Sequence, residues 1–239
     1  MSETEKKYTS GQYLSDNPSW DIEDSAWKAG KIAELVSTAG LAPAKVCDIG
    51  CGAGGVILEL KKIFPAATFY GFDVAPDAEK FWPKPAPEGV SFKVGNALAS
   101  GETYDLAMLI DVVEHLENPF AFLSALRGKA SHFVFHFPLD LSAFSVARET
   151  PLLHVRKKVG HVNYFTRNLA LELLTDCGYK VLDARYSGAY WNTPSCAWTA
   201  KLAALPRLFA RLLGTDFAVR LLGGETLFVL AEAASKKQE

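Results

Sequence analysis

The chain has 239 residues, 49% of them hydrophobic and 22% charged, with a formal net charge of -2. That length suits one sizeable α/β domain with a full core. The small net charge gives no general attraction to nucleic acid, and no apolar run approaches the ~20 residues of a membrane helix.

The first thirty residues are polar and acidic and lack an apolar signal core, so a cytoplasmic protein is expected. Its expected partner is a small molecule, with no nucleic acid and no integral membrane segment, and the chain is expected to be a monomer or homodimer. Cys47, Cys51, Cys177 and Cys196 form no C-x-x-C pair and have no histidine at zinc-site spacing. Buried free thiols are therefore expected, and no metal ligand is assigned.

In chain order, Met1–Lys7 reads as a frayed end and Tyr8–Trp20 as a turn-rich segment with Gly11, Asn17 and Pro18. A helical pattern runs from Ser25 to about Ser37, and Gly40 is a stop signal. Residues 1–40 suit a lid in which Tyr8, Tyr13, Trp20 and Trp27 cover a ligand, although aromatics at this spacing also serve plain packing.

Next comes Lys45–Gly55, K-V-C-D-I-G-C-G-A-G-G. A backbone with so few β-carbons can turn tightly from a strand into a helix while a ligand lies against its amides. The following helix, Val56–Phe64, aims its N-terminus at that ligand.

Thr68–Val74 reads as a second strand with Asp73 near its end, placed to accept from both hydroxyls of a ribose. Four prolines between Pro76 and Glu88 leave room only for a short helix around Asp77–Phe81. Val90–Val94 and Tyr104–Ile110 are the third and fourth strands, the latter running into D-V-V-E-H-L-E-N-P, Asp111–Pro119. Asn118 and Pro119 are the N-cap and first residue of a helix from Phe120 to about Arg127, and Ser131–Phe137 is the fifth strand.

Strands apolar on both faces, alternating with helices, predict a doubly wound, mainly parallel sheet with helices on both faces. Ligands in such sheets bind beyond the carboxyl ends of the strands. Here those ends carry Asp48–Gly55, Asp73, Asn96, Asp111–His115 and His136.

On these residues the sequence resembles the class I S-adenosylmethionine-dependent methyltransferases of small-molecule type. The family's acid-x-Gly-x-Gly-x-Gly motif stands as Asp48-Ile49-Gly50-Cys51-Gly52-Ala53-Gly54, its ribose acid as Asp73, and its third-strand polar–small pair as Asn96-Ala97. The E-H-L-x-x-P run is Glu114–Pro119, and Gly160–Thr166 precedes a further helix, Arg167–Cys177, that Gly178 caps. The resemblance implies a Rossmann-like sheet of seven strands ending in an antiparallel pair, which Lys180–Tyr186 and Thr226–Ala231 fit, in a single domain. The long connection 187–225 is expected to hold one or two helices over the sheet edge, or else a membrane-surface or dimer contact through its basic amphipathic part.

The resemblance further implies S-adenosyl-L-methionine as cofactor. Asp48, Gly50, Cys51, Gly52 and Gly54 are expected at its methionine end, Asp73 and Val74 at the ribose, Asn96 and Ala97 at the adenine, and Ile110 and Asp111 at the sulfonium. An acceptor hydroxyl or amine needs a base, for which His115 and His161 are the catalytic candidates, each also readable as a structural histidine. Tyr13, Trp20, His136, Arg148, Arg156 and Tyr164 are the acceptor-binding candidates, the arginines suiting an anionic metabolite. The expected activity is methyl transfer to O, N or C of a small metabolite. A non-methylating use of the same cofactor and an NAD(P)-dependent reductase are the alternatives, although no Tyr-x-x-x-Lys pair occurs.

Overall fold

The computed structural model describes residues 7–189 and 204–234. Residues 1–6 of the expected frayed end, the polar tail 235–239, Cys196 and residues 190–203 of the long connection lie outside the described residues. The N-terminal part forms α1 (Gln12–Asp16) and α2 (Ser25–Thr38), followed by β1 (Lys45–Ile49), α3 (Gly55–Ile63), β2 (Thr68–Asp73), β3 (Val90–Val94) and β4 (Tyr104–Ile110). Then come α4 (Pro119–Leu126), β5 (Ala130–Pro138), α5 (Ala143–Arg148), α6 (Thr150–Lys158), α7 (Arg167–Asp176) and β6 (Tyr179–Tyr186). After the undescribed part of the connection, α8 (Ala204–Arg211), α9 (Thr215–Leu222) and β7 (Thr226–Ala233) complete the chain.

The strands form one seven-stranded sheet in the order β3-β2-β1-β4-β5-β7-β6. The first five are parallel, while β7 enters antiparallel between β5 and β6. An all-parallel dinucleotide-binding sheet ends 4-5-6 instead, so this topology departs from the reductase alternative.

Alternate residues of the central strands feed two cores. Cys47, Leu109, Phe133, Phe135 and Phe137 face one side, and Val46, Met108, Val134 and Leu230 the other. Burial on both faces is why these strands read as continuous apolar runs rather than as alternating ones. Strand order reverses between β1 and β4, so the crevice beyond their carboxyl ends is the topological switch point.

Local signals act as their chemistry dictates. Asn118 Oδ1 accepts from the Ala121 N–H at 3.0 Å with Pro119 opening α4, and Gly178 at φ +81° ends the α7 region. The helices α5 and α6 have no counterpart in the sequence reading. A Ser142–Ser145 capping box starts α5, Glu149 at φ +54° separates the two, and α6 buries no residue, so it offers no apolar stripe to recognise. In the connection, α9 buries Ala218 and Val219 while Phe209, Leu212 and Leu213 stay exposed.

Candidate active site

The turn from β1 into α3 is held open by glycines at left-handed dihedrals, Gly50 at φ +76°, Gly52 at +51° and Gly54 at +77°. A Cβ on Gly50 would lie 2.6 Å from Val112, and one on Gly52 would lie 2.9 Å from the Trp20 indole nitrogen. The loop's own N–H groups are largely spent inside the protein. Those of Gly50 and Cys51 donate to the Phe72 carbonyl at 2.7 and 3.0 Å, and that of Gly54 donates to Cys51 O at 2.9 Å. The Gly52 N–H donates to Asp73 Oδ2 at 2.8 Å. The glycines therefore act by making room rather than by offering those amides, which corrects the sequence expectation.

Two neighbouring cavities flank this loop. The larger, about 390 Å³, runs from Asp73, Val74, Asn96 and Ala97 past Gly50 and Asp111 to His115, beneath Tyr8, Tyr13 and Trp20. The smaller, about 90 Å³, is lined by Asp48, Cys51, Gly52, Lys28 and Ile110 and shares Tyr13, Trp20, Gly50 and Asp111 with its neighbour. The N-terminal aromatics form a continuous wall, with ring centroids 4.9 Å apart for Tyr8–Tyr13, 5.2 Å for Tyr13–Trp20 and 5.6 Å for Tyr8–His115. Trp27 instead packs edge-on against Phe228 in the core, 6.2 Å away, and does not line either cavity.

The electrostatics of the loop suit a cationic ligand. Asp48 is buried and its Oδ1 has no hydrogen-bond partner, while burial and the nearby Asp73 push its carboxyl up to about 7. An ammonium arriving there would relieve an otherwise costly buried acid. Asp73 is also buried, its Oδ1 accepting from the Ala75 N–H at 2.8 Å, and its remaining lone pairs border the larger cavity. Asn96 Oδ1 caps the following turn by accepting from the Leu98 N–H at 2.9 Å, which occupies one lone pair of the carbonyl expected at the adenine.

Asp111 sits at φ +56° just past β4. Its carboxylate accepts from Lys28 Nζ at 2.8 Å and His136 Nδ1 at 2.6 Å. His136 Nε2 lies 2.7 Å from Thr226 Oγ1, so both ring nitrogens are engaged and the ring does not face the acceptor end. Burial opposes the Asp111 charge, yet His136 and Lys28 hold its carboxyl well below the usual range.

His115 and His161 come together with ring centroids 4.9 Å apart. His115 Nδ1 is 3.2 Å from the Gly160 carbonyl and His161 Nδ1 is 2.7 Å from Asp140 Oδ2. Burial lowers His115 to about 4, so this imidazole is neutral at ordinary pH. The acceptor candidates Arg148 and Arg156 are placed elsewhere. Both are exposed, Arg148 lies over the Phe144 ring, and neither lines either of these two cavities. Tyr164 directs its hydroxyl to the Leu152 carbonyl at 3.3 Å, also away from both cavities. Lys28, Glu114, Asp140 and Phe122 were not anticipated. Asp140 was findable, because it lies just past β5 on the edge where ligand-binding residues gather.

A sheet of this order, with a glycine turn and an acid at the end of β2, defines an α/β enzyme for an adenosine-bearing cofactor. A family model for a methyltransferase domain matches residues 25–184, and the chain belongs to that family. It is an S-adenosylmethionine-dependent methyltransferase.

Solved structures share the fold at low identity. Magnesium protoporphyrin IX methyltransferase from Synechocystis PCC 6803, with bound S-adenosylhomocysteine, is 16% identical with a TM-score of 0.59, covering 87% of this chain and 83% of that one. The N-methyltransferase NodS from Bradyrhizobium japonicum WM9 is 14% identical with a TM-score of 0.60, covering 98% and 100%. The [4+2]-cyclase SpnF has the same fold at 13% identity and a TM-score of 0.59, covering 85% and 80%. A search among curated proteins gave no match. No helix among the described residues is long and apolar enough to cross a membrane.

Proposed function

We propose that the chain methylates an oxygen of a small, neutral, hydroxylated acceptor, bound at the His115 end of the larger cavity. The observation that carries this reading is the cavity itself, which leads from Asp73 to His115 under one aromatic wall. Its charged lining residues among those described are Asp73, Asp111 and Glu117. A wall with carboxylates and no lysine or arginine favours a neutral acceptor over the anionic one that Arg148 and Arg156 suggested.

When bound, S-adenosylmethionine supplies an electrophilic methyl group. Asp48 takes its amino group, Asp73 its ribose hydroxyls, and Val74, Asn96 and Ala97 line its base, with Gly50, Cys51, Gly52, Ile110 and Asp111 around the remainder. Gly54 acts one step removed, since it bounds neither cavity and its missing Cβ makes room for Phe92 and Trp82. Residues 1–40 act as the lid, with Tyr8, Tyr13 and Trp20 excluding water, and the acceptor's proton is handled at the pair His115 and His161. The chain works as one domain, with α8 and α9 as the described helices of the connection between β6 and β7.

Calorimetric titration with S-adenosylhomocysteine, and with NADH as comparator, tests the cofactor site. Micromolar binding of the first with none of the second is expected, and NADH binding alone would sink the assignment. Because Asp48 must be ionised to pair with an ammonium, affinity for S-adenosylhomocysteine should fall as pH drops below about 7. The loss should reach up to ~10-fold per unit, and Asp48→Asn should flatten that profile. Replacing Asp73 with alanine removes the ribose acceptor and frees the Gly52 N–H, so affinity should weaken by ~1–3 kcal/mol. An unchanged dissociation constant would take Asp73 out of the site.

A further inference from the structure

Beside the proposed acceptor end, Glu114, His115 and His161 each bring one possible ligand atom to within 4.8 Å of the others. Two loops create this meeting. The turn after β4 carries Glu114 and His115, and the segment before α7 is tied to it by the Val162 and Asn163 N–H groups, which donate to the Glu114 carbonyl at 2.8 and 3.0 Å. Only a protonated Nδ1 can donate to the Gly160 carbonyl, so His115 keeps its lone pair on Nε2. His161 donates its Nδ1–H to Asp140, so in the neutral ring Nε2 holds the lone pair.

Glu114 supplies the independent observation. Its residue is 0% exposed and neither carboxylate oxygen has a hydrogen-bond partner. Buried polar groups left so are uncommon and costly, and each calls for a missing partner. Glu114 Oε1 is 3.9 Å from His115 Nε2, too far for a hydrogen bond. That span is close to the separation of two donors across a cation held at ~2.0–2.2 Å from each.

We propose that Glu114, His115 and His161 hold one divalent first-row transition cation, through the carboxylate and the two Nε2 atoms. Two imidazoles and one carboxylate are the donor set such ions prefer over magnesium or calcium. The Asp140 carboxylate and the Gly160 carbonyl fix the two rings from behind, as the outer partners of metal-bound histidines do. His115 borders the larger cavity, so the cation's open positions serve the acceptor.

This deepens, and rests on, the methyltransferase reading. An acceptor hydroxyl that ligates the cation loses its proton to solvent more readily, before the aromatic lid closes and shuts water out. It then meets the methyl group as an oxygen anion, and neither histidine has to act as a free base.

Chelator-treated full-length protein titrated with ZnCl2 and with MnCl2, with S-adenosylhomocysteine affinity measured on the same samples, provides the test. Wild type should bind one equivalent of at least one of these cations. Glu114→Gln and His161→Asn should weaken that binding by tenfold or more. Asp140→Asn, which leaves all three ligands in place, should weaken it ~10-fold, with cofactor affinity retained in every variant. Should either ligand variant fail to fold, the Asp140 variant decides. No stoichiometric binding by wild type, or binding unchanged in all variants, overturns the site. Ligand-dependent cation binding without any S-adenosylhomocysteine binding would remove the cofactor reading and leave the cation site standing.

Discussion

Asp111→Ala is expected to lower the stability of the fold by ~2–3 kcal/mol, less than the ~3–5 kcal/mol of breaking a fully buried ion pair, because the Asp111 side chain is itself 33% exposed. The carboxylate joins Lys28 on α2 to His136 on β5, at 2.8 and 2.6 Å, and both partners' side chains are well buried, 14% and 3% exposed. Without it an ammonium and a ring N–H lose the acceptor between them, and Lys28 keeps only the weaker attraction of Asp24 and Asp21. A second contribution comes from the backbone. At φ +56° an aspartate is tolerated better than an alanine, for which the left-handed region costs ~1 kcal/mol. Asp111→Asn keeps that tolerance and one acceptor oxygen, so it should cost clearly less than alanine.

The sign of the pH dependence follows from the depressed carboxyl. A group whose folded pKa lies below its unfolded value, ~3.9, contributes stability that is fully present above that value and is lost as pH falls through the folded pKa. Urea denaturation at pH 7 and at pH 3 should therefore show the wild-type advantage over Asp111→Ala shrinking in acid. Equal midpoints for the two proteins at pH 7 would mean that the pair is decorative.

The same contacts explain how much was legible beforehand. The seven strands and the glycine turn were readable because burial on both faces makes continuous apolar runs and because a tight turn restricts residue type. That Asp48, Asp73, Asn96 and Asp111 would line a cleft was readable because the carboxyl edge of such a sheet is where its loops converge.

Pairing across the fold was not. Lys28 sits in a helix that reads as an ordinary amphipathic one, and nothing local marks it as the counter-ion of a residue just past β4. Beyond His136 the contacts continue through Thr226 to Ser187, 2.7 Å at each step, and from Ser187 to Glu225 at 3.3 Å, with Arg211 bound to Glu225 at 3.0 Å. These links join the last strand and the long connection to the site only because β7 inserts between β5 and β6. Arg148 and Arg156 erred the other way. Sequence position placed them between β5 and α7, but the two short helices there turn them to solvent. Glu114 stood beside His115 in the quoted motif. Its importance appears only with burial and with the absence of a partner, neither of which a sequence prints.

Gly50→Val is expected to abolish cofactor binding, weakening S-adenosylhomocysteine by more than ~100-fold, because two independent penalties fall on one position. At φ +76° a β-branched residue occupies a strained backbone region costing ~1–3 kcal/mol. Its Cβ would also lie 2.6 Å from Val112 Cγ2, a distance that real contacts do not reach. Relief requires the glycine turn and the segment after β4 to part. That same seam carries Asp111 and borders both cavities, so the relaxation that saves the fold widens the site. The Gly50 N–H bond to Phe72 O, 2.7 Å, resists it and should show as a lowered melting temperature.

Gly30→Ala is the matched control. Gly30 lies on the exposed face of α2 with ordinary dihedrals and open space around its missing Cβ, so alanine there should stabilise by ~0.5–1 kcal/mol and leave binding untouched. A Gly50→Val protein that binds S-adenosylhomocysteine like wild type would place the cofactor away from this turn. If binding is lost while Gly30→Ala gains stability, the loss is due to the left-handed turn and its contact with Val112, not to the mere addition of a side chain.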